Sequence, residues 1–412
     1  MELYRLVAIL LVATFLVSYL NIRYLRLPQT IGLMLVCVLF SLGTTLVGTM
    51  SQEAVAPVTT FMAGIDFNEA LMVGMLGFLL FSGSLRVNLD DLREKKWEVA
   101  SFAVLSTLIS VGIIGALVRL FLPLIGIPIS FTYALLFGAL ISPTDPVAVM
   151  GALRQAKAPK SLEIKIGGES LFNDGVGVAL FIGLREAVVN GQPLSAGHLT
   201  GIFLSEALGG IALGFALGYL TYRALKTIDN FQVEIVGTIA LVMGLYTLCE
   251  ALHLSGPLAV VAAGILIGNH GRSLAMSEMT RRRLDDFWEL IDEILNAILF
   301  VLVGLVLLAI GLNGRFLLVA LAGLPLVLGA RFLSVLIPVM TLRRLGRPFT
   351  KGIVKIMTWG GLRGGISLAL ALSLPSGSEK DLFLVMTYMV VAFSIIVQGL
   401  TIKTMIARQL AE

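Results

Sequence analysis

Thirteen stretches of almost unbroken apolar sequence, separated by short polar loops, run the length of the chain: residues 2–21, 29–49, 68–85, 97–121, 130–152, 162–187, 200–224, 232–252, 256–269, 286–311, 315–342, 350–373 and 382–407. They lack the strict alternation of a half-buried strand, and all but 256–269 are long enough to cross about 30 Å of hydrocarbon as a helix. In lipid a helix satisfies its own backbone hydrogen bonds, so the pattern predicts an all-α polytopic membrane protein with 13 transmembrane helices.

Composition agrees. Of 412 residues, 57% are hydrophobic and only 14% charged, which excludes an ordinary soluble domain. The 43 glycines suit helices that pack closely in a bilayer. The net charge of +4 changes meaning once its location is considered. Twenty-three Lys and Arg residues fall in the loops that follow odd-numbered segments, whereas the opposite side holds Arg5, Arg119, Arg185, Arg315 and Lys380. That asymmetry places the N-terminus outside and the C-terminus in the cytoplasm, and it accounts for the basic balance without nucleic acid. The run Leu6–Leu20 has basic residues after it and no small-residue cleavage pattern, so it reads as a retained helix and not a signal peptide. The chain stops soon after the last segment, leaving no expected cytoplasmic regulatory domain. Cys37 and Cys249 lie in apolar runs and offer no disulfide framework.

Charges within the apolar segments point to function, because each costs at least about 3 kcal/mol at mid-bilayer. Those charges are Asp145, Glu169, Asp174, Arg331 and Arg363; Glu206, Glu234 and Glu250 read instead as snorkelling or structurally hydrogen-bonded acids. Around Asp145, Pro143 and Pro146 bracket Thr144-Asp145 and must interrupt the helix. One reading is a Pro kink with Asp145 as a cap. The other presents freed carbonyls, the Thr144 hydroxyl and the Asp145 carboxylate as hard oxygen ligands for a small cation, and both can hold together.

In Gly167-Gly168-Glu169-Ser170-Leu171-Phe172-Asn173-Asp174-Gly175, Ser170 and Asp174 share a helix face, as do Glu169 and Asn173. A carboxylate here can exchange its charge for a proton. A second interruption is expected at Gly360-Gly361-Leu362-Arg363-Gly364-Gly365. Two interrupted helices, one in each half, predict inverted repeats, with 97–121, 130–152 and 162–187 corresponding to 315–342, 350–373 and 382–407. Arg331 needs a buried acid, and Glu169 is the choice because Asp145 and Asp174 serve the ion. Arg363 would offset half-helix carboxyl ends, and it is also an alternative partner for Glu169.

Together, Thr144-Asp145-Pro146-Val147-Ala148-Val149, Gly168-Glu169-Ser170-Leu171-Phe172-Asn173-Asp174-Gly175 and Gly360-Gly361-Leu362-Arg363-Gly364 resemble the monovalent cation–proton antiporters, and among them the electroneutral NhaP-type branch that includes the animal sodium/proton exchangers. The resemblance implies two crossed, broken helices in a mobile core (residues 94–190 and 312–412), beside a dimerisation domain (1–93 and 191–311). It implies that Asp174 binds either cation or proton, that Thr144, Asp145 and Ser170 add oxygens to the sodium site, that Asn173 steadies the crossing, and that Glu169 pairs with Arg331. It further implies a homodimer in the plasma (inner) membrane acting in pH homeostasis.

One exchanging carboxylate makes cation and proton mutually exclusive, and with Asp145 charged throughout the expected exchange is one sodium or lithium for one proton without net current. Potassium/proton exchange is the alternative, since oxygen cages can also fit potassium. No cofactor is expected. A channel would not need two interruptions and a titratable acid. An enzyme is not expected: His198, His253 and His270 sit near segment ends, without an H-E-x-x-H motif or an evident Ser/His pairing.

Overall fold

The computed structural model describes residues 2–411 except positions 52, 54, 57, 59, 61–63, 65, 66, 68, 191–195, 272–275, 309 and 311–313. The start of the third apolar segment at 68, the end of the tenth at 311, the domain limits at 191 and 312, and Arg272 therefore lie outside the described residues. All secondary structure among the described residues is helical.

In chain order the helices are α1 (Glu2–Leu20), α2 (Gln29–Met50), α3 (Leu76–Leu85), α4 (Leu89–Glu94), α5 (Lys96–Leu124), α6 (Phe131–Ile141), α7 (Val147–Gln155), α8 (Lys160–Val189), α9 (Ala196–Leu225), α10 (Phe231–Ala251) and α11 (Gly256–Leu266). They continue as α12 (Glu278–Leu305), α13 (Gly314–Arg344), α14 (Ile353–Trp359), α15 (Gly365–Leu372) and α16 (Ser378–Leu410). Helix occupies each predicted apolar segment within the described residues. Among the described residues, eight helices are long and apolar enough to cross a bilayer on that basis alone, while α6 and the stretches Glu69–Leu85 and Gly256–Gly271 are shorter. Helix α8 spans 30 residues, but its buried polar cluster keeps it outside that group.

Local chemistry sets several boundaries. Ser130, Asn230 and Ser255 accept from the first free N–H groups of α6, α10 and α11, and Pro257 begins α11 where a missing N–H costs nothing. The outer faces stay apolar: Tyr4, Val12 and Phe15 of α1 and Leu208 and Leu220 of α9 are exposed, as expected where the solvent is lipid.

The order long helix, interrupted helix, long helix occurs twice, as α5, α6/α7, α8 and again as α13, α14/α15, α16. The interruptions touch, because the Asp145 N–H donates to the Leu362 carbonyl at 2.8 Å. Each break thus meets backbone hydrogen-bonding demand in the other, which is how unwound chain survives at membrane depth.

Candidate functional site

Between α6 and α7 the chain leaves the helix for five residues, Ser142 to Pro146. The Ser142 and Pro143 carbonyls of the break are not orphaned. Arg363, from the other break, donates Nη1 to the Ser142 carbonyl and, at 3.0 Å, to the Pro143 carbonyl. A cation is thereby placed at the carboxyl end of α6, where the helix dipole is negative. Asp145 does the converse at the amino end of α7, where its Oδ1 accepts from the Val147 N–H at 2.9 Å. Gly364 lies so close to Asp145 that a Cβ there would stand 2.7 Å from its Oδ2, so only glycine permits the approach.

Helix α8 passes beside this crossing. Asn173 donates Nδ2 to Thr144 Oγ1 at 2.8 Å, and Thr144 and Ser170 share a hydroxyl hydrogen bond at 3.0 Å. Asn173 thus ties α8 to the first break. Glu169 is buried and accepts from Arg331 through both oxygens, at 2.6 Å from Nη1 and 3.0 Å from Nη2. Arg331 also donates to the Met357 carbonyl of α14. The structure therefore places Arg331, and not Arg363, against Glu169. Glu234 departs from expectation: it is fully buried and its carboxylate has no hydrogen-bond partner among the described residues, near the amino end of α10.

A cavity of about 660 Å³ leads to these groups. Its lining includes Arg86, Asn88, Arg154 and Lys160 from loops and helix ends, then Thr144, Asp145, Ser170 and Asp174 further in. Asp174 is 6% exposed, and its Oδ1 has no hydrogen-bond partner among the described residues. The arrangement joins a carboxylate oxygen free to bind, two hydroxyls and a half-buried second carboxylate along one cavity wall. Such a set can hold a hard monovalent cation or a proton.

The lining also includes Asp292 and Asn296 of α12, which sequence reasoning passed over. Asp292 lies 3.8 Å from Arg86, and Asn296 donates to its carboxylate at 3.2 Å. A signal was present: Asp285, Glu289, Asp292 and Asn296 recur at three- and four-residue steps, a polar stripe that runs from the charged first half of α12 towards its apolar second half.

Close packing at the second break gives a first test. A Cβ on Gly361 would lie 2.5 Å from Arg331 Nε. Gly361→Ala is expected to destabilise the fold by about 1–3 kcal/mol, read as a lower thermal midpoint in detergent. An unchanged midpoint would contradict that packing.

Comparison with known proteins adds an independent line. A family model described as sodium/hydrogen exchanger, transmembrane, matches residues 10–408. The chain is 46% identical over 409 residues to the Na(+)/H(+) antiporter NhaP of Pseudomonas aeruginosa, covering 98% of this chain and 96% of that one. It is 33% identical over 394 residues to the Na(+)/H(+) antiporter NhaH of Halobacillus aidingensis, covering 94% and 93%. Its fold matches the solved structure of the sodium proton antiporter MjNhaP1 from Methanocaldococcus jannaschii with a TM-score of 0.74 across the whole of both chains, at 19% identity.

Proposed function

Since the chain belongs to the sodium/hydrogen exchanger family, we propose that it exchanges sodium or lithium for protons across its membrane, with Asp174 binding either ion. The observation that carries this reading is the cavity that ends at a buried carboxylate whose Oδ1 is unpartnered, between two helices interrupted at the same place. A bare carboxylate cannot be carried through a low-dielectric interior, so Asp174 must be neutralised by a proton or a cation before the core moves. Neither ion can bind while the other does, and this exclusion couples their movements.

Charge bookkeeping at the crossing supports an electroneutral cycle. Glu169 and Arg331 cancel, Arg363 answers carbonyls at the end of α6, and Asp145 answers the amino end of α7. Only Asp174 remains to be neutralised, once by sodium and once by a proton, so the loaded core carries the same charge both ways. One sodium then exchanges for one proton. In proteoliposomes, exchange is expected to run at the same rate with or without an imposed membrane potential; a clear dependence on potential would refute the one-for-one count.

Thirteen crossings, with the N-terminus outside and the C-terminus in the cytoplasm, follow from the loop charges. The cavity mouth is lined by Arg86, Arg154 and Lys160, which belong to the basic side, so this conformation is open to the cytoplasm. Residues 94–190 and 312–412 form the moving core, residues 1–93 and 191–311 the dimerisation domain, and two copies pair through the latter in the plasma (inner) membrane. Thr144, Asp145 and Ser170 contribute oxygens to the cation. The function is tested by following the internal pH of proteoliposomes after adding sodium, lithium or potassium: sodium and lithium are expected to drive proton movement, and a response to potassium alone would overturn the cation assignment.

A further inference from the structure

Of the buried side-chain oxygens that lack a hydrogen-bond partner among the described residues, two belong to residues lining the large cavity: Asp174 Oδ1 and Ser367 Oγ. Ser367 is 1% exposed and sits in the first turn of α15, immediately beyond the second break. Serines within helices usually return their hydroxyl to a carbonyl one turn back. Ser334 and Ser373 do so here, donating to the Arg331 and Leu370 carbonyls, and Ser142 donates to the Gly138 carbonyl. Ser367 does not.

The two hydroxyls already discussed are differently placed. Thr144 accepts from Asn173 and shares its other hydrogen bond with Ser170. Part of their capacity is spent holding α8 to the first break. Helix α15 packs against α8, which bears Asp174, and Gly364, one turn before Ser367, abuts Asp145. A small monovalent cation needs several oxygens to replace its water, and Asp174 with two engaged hydroxyls and Asp145, whose Oδ1 already caps α7, is a sparse set.

We propose that Ser367 is a further oxygen ligand of the transported cation, supplied by the second interrupted helix. The site then draws on both repeats: α8 and the first break on one side, α15 on the other. Loading a cation draws α15 and α8 together through a shared ion, whereas a proton on Asp174 needs no such ligand. Ser367 therefore governs cation affinity and leaves proton affinity alone.

The inference rests on the reading that Asp174 holds the exchanged ion, and the experiment separates the two. Exchange is measured in proteoliposomes for wild type, S367A, S367C and D174N across sodium and lithium concentrations. S367C keeps the volume and replaces hard oxygen by soft sulfur. Both Ser367 variants are expected to raise the half-saturating sodium and lithium concentrations by roughly five- to tenfold. The maximal rate, its pH dependence at saturating cation and the thermal midpoint are expected to stay at wild-type values. Unchanged half-saturation, with D174N inactive, would remove Ser367 from the site and leave the function standing. A loss of maximal rate together with a lower thermal midpoint in S367C would make Ser367 a packing residue only. If D174N itself still exchanges, the reading of Asp174 is what fails.

Discussion

Asparagine in place of Asp174 reduces sodium-driven proton movement in proteoliposomes to the level of protein-free vesicles. The substitution keeps size and shape and removes only the charge that a cation or a proton must neutralise. Asp174 lies at the inner end of the cavity with one oxygen unpartnered, on a helix tied to the first break by Asn173 and Thr144. An amide can neither take up a proton at physiological pH nor offer a full negative charge to sodium, so both halves of the cycle stop. Because the amide introduces no buried charge, the thermal midpoint of D174N is expected to be at least that of the wild type. Full-rate exchange in D174N would require another group to carry the ions, and the half-buried Asp145, capping α7, would be the next to test.

The second large effect falls on stability. Glu169 and Arg331 form a buried two-point ion pair joining α8 to α13, and Arg331 also reaches the Met357 carbonyl of α14. Removing either charge leaves the other without compensation in a dry interior, at about 3–5 kcal/mol. E169Q and R331M are each expected to lower the thermal midpoint sharply and to reduce yield in the membrane. The double substitution leaves no stranded charge and is expected to recover part of the loss. Wild-type midpoints in both single variants would refute the pairing as a structural element.

Much of this site was legible in the sequence because charge is so scarce there. Prolines around Thr144-Asp145 and glycines around Leu362-Arg363 mark interruptions with a direct backbone cause, and helix periodicity places Ser170 and Asp174 on one face. The partner of Glu169 stayed open between two arginines because spacing along a chain does not tell which helices touch. Once α6 and α14 end at a common crossing, Arg363 is drawn to the Ser142 and Pro143 carbonyls and Arg331 is left for the acid. Asp292 carries little signal alone because it lies close to the start of the apolar segment 286–311, where an acid reads as an interfacial residue; only the stripe through Glu289 and Asn296 betrays a cavity-facing side. Ser367, two residues beyond the glycine motif, carries no signal in the sequence, since a serine in an apolar helix ordinarily bonds to its own backbone. That its hydroxyl does not is a fact of three-dimensional placement alone.

The central claim is that sodium and a proton compete for one carboxylate. It is tested most directly by adding sodium to purified protein in weakly buffered detergent, at a pH where the site is protonated, and measuring protons released against sodium bound. The account predicts one proton released for each sodium bound in the wild type and none in D174N. Sodium binding without proton release, or release that persists undiminished in D174N, would contradict it.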